Sequence, residues 1–209
     1  MRIIGIDAAL ALTGWAVIED SADERRPSDN EPRLQLLDWG VIETEPGDRT
    51  GRAEFQRLRV LHDALCEIIH LNATDCPGGL QVAVERPDWQ PGQGGDRPAW
   101  IREAKARGAL GLGLATCYAA CMHSAIEPQV LGVREWMAEL GSHNKADTAV
   151  QIARLFPAAF QVSAERQKFV VREAHAPCAV VPDHATDAVA VAYVAIQRLR
   201  FAQRVQQAR

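Results

Sequence analysis

The first 44 residues carry short apolar runs separated by polar or small residues, and helical spacing takes over after them. Residues 2–7 (RIIGID), 14–19 (GWAVIE) and 34–44 (LQLLDWGVIET) read as three strands, rich in β-branched residues and bounded by turn formers. Three strands in succession suggest an antiparallel meander. From 51 to 71, Phe55, Leu58, Leu61, Leu65, Ile68 and Ile69 recur at the spacing of one helix face. NATDCPGG (72–79) stops that helix. LQVAVE (80–85) predicts a fourth strand, a long helix is expected over 99–122, and 125–133 holds a short fifth strand. Two helices follow over 133–140 and 145–155, split by GSHN, and a last helix runs from about Pro182 to 205. Between them, 157–182 is hard to read, although KFVV and CAVV have the composition of short strands.

Hairpins first and parallel crossovers later predict one α/β domain over 1–209, with a five-stranded mixed sheet and helices on both of its faces. The polar stretch 20–33, with two prolines, and the stretch 157–182 read as insertions. There is no internal repeat. No run of about eighteen apolar residues is present, so no membrane helix is predicted. The N-terminus lacks the pattern of a secretory signal, which leaves a cytoplasmic protein as the expectation.

Charge alters this picture locally rather than globally. The net charge of −4 argues mildly against a protein whose main grip is on phosphate. Yet residues 19–31 hold six acidic and two basic residues, while no acid follows Asp187 and Arg198, Arg200, Arg204 and Arg209 do. Those arginines suit either the negative end of a final helix or a nucleic-acid surface. Five cysteines without a C-x-x-C read as buried thiols; Cys117 and Cys121, four apart, share a helix face but lack further ligands for a metal.

The candidate chemistry lies where acids end apolar strands. Asp7 closes the first strand and Glu85 the fourth, so neighbouring strands would deliver both carboxylates to one sheet edge. In VPDHATDAVAVAY (181–193), His184 and Asp187 are three apart at the start of the last helix and share a face, and Asp183 and Asp187 are four apart. Such groups, gathered from distant segments, suit Mg²⁺ or Mn²⁺. Each residue also has a plainer role open to it: Asp7 as a turn residue, Glu85 as a surface partner of Arg86, Asp183 as a helix cap. GALGLGLA (108–115) contains a GxxGxG, but helical rather than strand sequence precedes it. Its small residues instead permit the close approach of the sheet or of a second subunit.

RIIGID…TGWAVIE, VAVE, KARGALGLGLA, GVREWMAELGSHNKAD and DHATDAVAVAY together resemble the RuvC family of Holliday-junction resolvases, in order and spacing over most of the chain. The resemblance implies an RNase H-like fold, a homodimer, and cutting of two strands of a four-way DNA junction with two Mg²⁺ or Mn²⁺ ions per site. It puts Asp7, Glu85, His184 and Asp187 in the metal site, with Asp183 outside the core set as a cap or an additional ligand. It makes 133–147 a DNA-contacting segment, with Lys145 at a basic position beside the reaction and Arg134 nearby. Trp89 matches an aromatic that enters the junction, and Arg102, Lys105 and Arg107 are candidates for a DNA groove. Ala8 and Ala9 stand where the family has Pro-Gly, and lysines usual in the family are Met137, Ala138 and Thr148 here. These departures suggest a divergent relative of the kind borne by phages or plasmids. Two rivals are a catalytically inactive module of the same fold that binds branched DNA or a protein, and a sugar-kinase or actin-like phosphotransferase. The latter would need glycines after Asp7 that AALALTG lacks.

Overall fold

A computed structural model describes residues 1–21, 34–45, 51–74, 76, 78–86, 97–162, 169–173 and 176–208, with backbone alone for 97–107 and 161–180. Among these residues, eight strands and five helices follow in the order β1 (Arg2–Asp7), β2 (Leu12–Asp20), β3 (Leu34–Glu43), α1 (Gly51–Ala73), β4 (Leu80–Arg86), α2 (Arg97–His123), β5 (Gln129–Gly132), α3 (Val133–Leu140), α4 (Lys145–Leu155), β6 (Phe160–Val162), β7 (Phe169–Glu173), β8 (Ala176–Val180) and α5 (Asp183–Gln207). The expected five-stranded mixed sheet is present, with strand order β3-β2-β1-β4-β5. β1 and β2 pair antiparallel, as do β2 and β3, whereas β1–β4 and β4–β5 are parallel. Residues 157–182 contribute strands that the sequence only hinted at: β6, β7 and β8 form a separate antiparallel three-stranded sheet.

Strand periodicity sorts the core into two halves. Ile4, Ile6, Val82 and Val84 pack with Leu61, Leu65 and Ile69 of α1 and Cys117, Ala120 and Cys121 of α2. Ile3 and Ala83 point the opposite way, into a cluster built with α3, α4 and α5. Each fully buried aliphatic side chain contributes about 1.5–3 kcal/mol. Both faces of the sheet are covered, which explains why β1 reads as an unbroken apolar run rather than an alternating one.

Close approach of α5 depends on two glycines. A Cβ on Gly5 would lie 2.1 Å from the Ala188 carbonyl oxygen, and one on Gly14 would lie 1.9 Å from that of His184. With Ala188 and Ala192 opposite, the helix backbone rests directly on β1 and β2, and this fixes the start of α5 over the end of β1. Of the small residues in 108–115, Gly113 approaches Ala9 and Leu10, where a Cβ would come within 2.9 Å of the Ala9 carbonyl carbon. Gly108 and Gly111 face open space.

Two arginines that the sequence offered as nucleic-acid contacts are fastened to acids. Arg200 makes two 2.8 Å hydrogen bonds to the Asp20 carboxylate, which is buried, and Arg200 itself is partly buried. Arg198 pairs with Glu139 on α3. Asp20 is thus the anchored end of β2 rather than the first residue of a solvated insertion. Among the described residues no helix is long and apolar enough to cross a membrane.

Candidate active site

The side-chain parity that builds the core also builds the site. In β1, Ile3, Gly5 and Asp7 point to the α5 face; in β4, Ala83 and Glu85 do. The parallel register pairs Ile6 with Val84, so the next step along each strand sets Asp7 beside Glu85 at the same sheet edge. The first turns of α5, seated on Gly14, bring His184 and Asp187 to that edge. Asp7, Glu85 and Asp187 are all buried, at 7%, 9% and 6% exposure.

Lys145 reaches the cluster from the adjoining hairpin. Gly141 ends α3 in the left-handed conformation, with φ of 72°. Asn144 then caps α4: its side-chain oxygen accepts the Asp147 N–H at 3.0 Å, and the Asp147 carboxylate accepts the His143 N–H at 3.1 Å. Lys145, the first residue of α4, consequently lies with its ammonium 3.3 Å from Asp187 and 3.9 Å from Asp183. His184 Nδ1 lies 2.5 Å from the Asp7 carboxylate.

Three buried carboxylates repel one another and are largely shielded from solvent. Burial, then the charges of Asp7 and Asp187, push the Glu85 carboxyl up to about 8, against a hydrogen bond from Trp136 and the charge of Lys145. Burial raises Asp187 to about 6; Lys145 opposes this and Asp7 adds to it. The hydrogen bond to Asp7 raises the imidazole of His184. Burial works against the charge of Lys145, but Asp187 and Asp183 more than offset it and hold the amine above its ordinary value. The cluster therefore already draws an ammonium and an imidazole to itself.

Among the described residues, no three His, Cys, Asp or Glu side chains are arranged as they stand to hold a metal ion. His184 is turned onto Asp7 and Lys145 onto Asp187. The donor set nonetheless fits a hard divalent cation: carboxylate oxygens with one imidazole, converging from β1, β4 and α5 in an environment that disfavours their unpaired charge.

Of the remaining sequence candidates, Asp183 is exposed at the rim and is the first residue of α5, not its cap; the cap residue is Pro182. The Asp183 carbonyl accepts the Thr186 hydroxyl. Arg134 lies exposed on α3. Arg102, Lys105 and Arg107 fall on α2, where the backbone alone is described, and Trp89 lies outside the described residues. Nothing in the sequence had marked Trp136 for the site. It is a core residue, and its indole N–H also donates to Glu85 Oε2 at 3.0 Å. The available signal was its place in the first turn of the helix after β5, the strand that pairs with β4.

A five-stranded β3-β2-β1-β4-β5 sheet with helices on both faces defines an RNase H-like fold, here with a cluster of buried acids at its carboxyl edge. Comparison with known proteins narrows the class. The chain is 35% identical over 86 residues to the crossover junction endodeoxyribonuclease RuvC of Paracoccus denitrificans, covering 41% of this chain and 44% of that protein. It is 36% identical over 85 residues to RuvC of Caldicellulosiruptor saccharolyticus, 41% of each, and 32% identical over 108 residues to RuvC of Rhizobium johnstonii, 52% of this chain and 51% of that one. The matched region thus spans about half the length of these relatives or less. Thermus thermophilus RuvC in complex with a Holliday junction substrate superimposes with a TM-score of 0.64 at 18% identity, covering 97% of this chain and 96% of that one. No protein-family model matches. Segments of this chain are thus similar to RuvC sequences, and its fold is that of Thermus thermophilus RuvC.

Proposed function

We propose that the chain is a metal-dependent endodeoxyribonuclease that resolves four-way (Holliday) or other branched DNA junctions by paired phosphodiester cuts, acting as a homodimer. The observation that carries this reading is the convergence of Asp7, Glu85 and Asp187, buried at one sheet edge with His184 and Lys145 against them. The likeness to RuvC sequences and to a RuvC–junction complex supports it.

In this reading Asp7, Glu85, His184 and Asp187 would hold two Mg²⁺ or Mn²⁺ ions, with Asp183 within reach at the rim. Bound there, such ions supply a lowered water pKa and stabilisation of the leaving oxygen. The chain's own groups do the remaining work. Water attacks the scissile phosphorus in line and the sugar oxygen departs. Lys145, freed from Asp187, offsets negative charge building on the phosphate oxygens. Arg134 and the α2 positions Arg102, Lys105 and Arg107 contact the DNA backbone, and Trp89 stacks on unpaired bases at the branch.

The test is to incubate the chain with labelled four-way, three-way and linear duplexes plus Mg²⁺ or Mn²⁺ and to map the nicks. Paired nicks at the branch are expected. Asp7→Asn should abolish them while junction binding persists, and unaltered cutting by this variant overturns the assignment. Junction binding without nicking at any Mn²⁺ concentration would favour a non-catalytic module instead.

A further inference from the structure

Glu85 differs from the other acids of the cluster in how it is held. Asp7 faces His184 and Asp187 faces Lys145, groups that a cation can displace. Among the described residues, the hydrogen bond that Glu85 receives comes from Trp136, at 3.0 Å between Nε1 and Oε2. An indole has one donor, no acceptor and no charge, so it neither competes with a cation for the carboxylate nor leaves when one arrives.

The attachment behind this contact is short and rigid. β5 pairs with β4 through Glu85↔Leu131, and α3 begins at the residue after β5. The Glu135 carboxylate accepts the Gly132 N–H at 3.2 Å and so fastens the helix start to the strand end. One turn of helix then sets the indole against Glu85. The ring is 2% exposed and embedded in the cluster beneath α3, α4 and α5, which leaves it no room to swing aside. An apolar ring would fill the same space; what tryptophan adds is the N–H.

We infer that Trp136 is a positioning residue of the acidic site: its indole N–H occupies Oε2 of Glu85 and thereby presents Oε1 to a divalent cation. The inference rests on the metal-dependent reading above and assigns Trp136 no contact with substrate. A glutamate side chain has three rotatable bonds, and fixing one oxygen removes most of that freedom before the cation arrives. Partners that orient metal-ligating carboxylates typically matter about 10-fold to 100-fold in metal affinity.

The experiment measures Mn²⁺ binding by titration calorimetry and by the spin resonance signal of free Mn²⁺, without DNA. Trp136→Phe keeps the ring and removes the donor. It should weaken Mn²⁺ binding at least about 10-fold while leaving metal-free junction binding unchanged. Trp136→Phe added to Glu85→Gln should weaken Mn²⁺ no further than Glu85→Gln alone, because the two act through one carboxylate. A residue that merely packs would move neither quantity. If the phenylalanine variant fails to fold, benzothienylalanine at position 136 removes the N–H from a ring of nearly the same shape. Affinity equal to that of the unmutated chain in the folded variant, or equal losses with and without Glu85, overturns the inference. Absence of Mn²⁺ binding by the unmutated chain would overturn the metal-dependent reading and this inference with it, and the control shows which has failed.

Discussion

The acidic site has a cost in the metal-free protein, and Glu85→Gln measures it. The glutamine keeps the size of the side chain and an oxygen to accept the Trp136 N–H, but removes the charge. Glu85 is 9% exposed and its carboxyl is raised from 4.5 to about 8. Because the folded value lies above the unfolded one, between these limits the folded chain keeps a proton that the unfolded chain releases. The resulting destabilisation is absent below about pH 4.5, grows as pH rises and is complete above pH 8. At about 1.4 kcal/mol per pH unit the ceiling is about 5 kcal/mol. Relaxation and water entry reduce such costs in real proteins, so about 2–5 kcal/mol is expected at pH 9.

For a chain of this length each kcal/mol moves the melting temperature by about 2–4 °C. In EDTA, Glu85→Gln should therefore melt roughly 5–15 °C above the parent at pH 9 and close to it at pH 5. Saturating Mg²⁺ should raise the parent more than the variant at pH 8. An advantage that is the same at both pH values would show that it comes from packing or from altered hydrogen bonding. A variant less stable than the parent at pH 9 in EDTA would show that Glu85 carries no buried charge there. Either result refutes the reasoning.

Two further perturbations probe how the site is built and used. Gly14→Ala places a Cβ 1.9 Å from the His184 carbonyl oxygen, so α5 must shift; the urea midpoint should fall and the His184 and Asp187 side chains should move with it. Gly111→Ala, facing open space in a helix, should instead stabilise by about 0.5–1 kcal/mol, and similar midpoints for the two variants would disprove this account of the close approach. Lys145→Met should slow junction cutting about 10²–10³-fold, the scale for loss of one group that stabilises transition-state charge, without weakening Mn²⁺ affinity. Weaker Mn²⁺ binding by that variant would contradict a lysine that vacates Asp187 when a cation binds.

How much of this was legible beforehand follows from the physical range of each signal. Strand and helix periods are local, and they delivered the five-strand sheet and all five helices nearly at their observed ends; α1, for example, spans Gly51–Ala73 against an expected 51–71. Asp7 and Glu85 were legible because a carboxylate that ends a buried strand has a defined parity, and parity decides which face it joins. The α5 pair was legible because the i, i+3 spacing of His184 and Asp187 sets them on one helical face.

Signals that needed a partner far along the chain were silent. Arg200 is 180 residues from Asp20, and nothing in either neighbourhood indicates that they pair. Gly5 and Gly14 look like strand interruptions until α5 is placed on them. Trp136 packs as well as donates, and its acceptor lies 51 residues away, beyond the reach of a local pattern. The same hairpin reaches two carboxylates, Glu85 through Trp136 and Asp187 through Lys145. Strand ends thus announce which acids form the site, but how firmly each is held is decided by the helices that close over them. That explains why a neutral fastening, which a cation does not displace, escaped a reading based on charge.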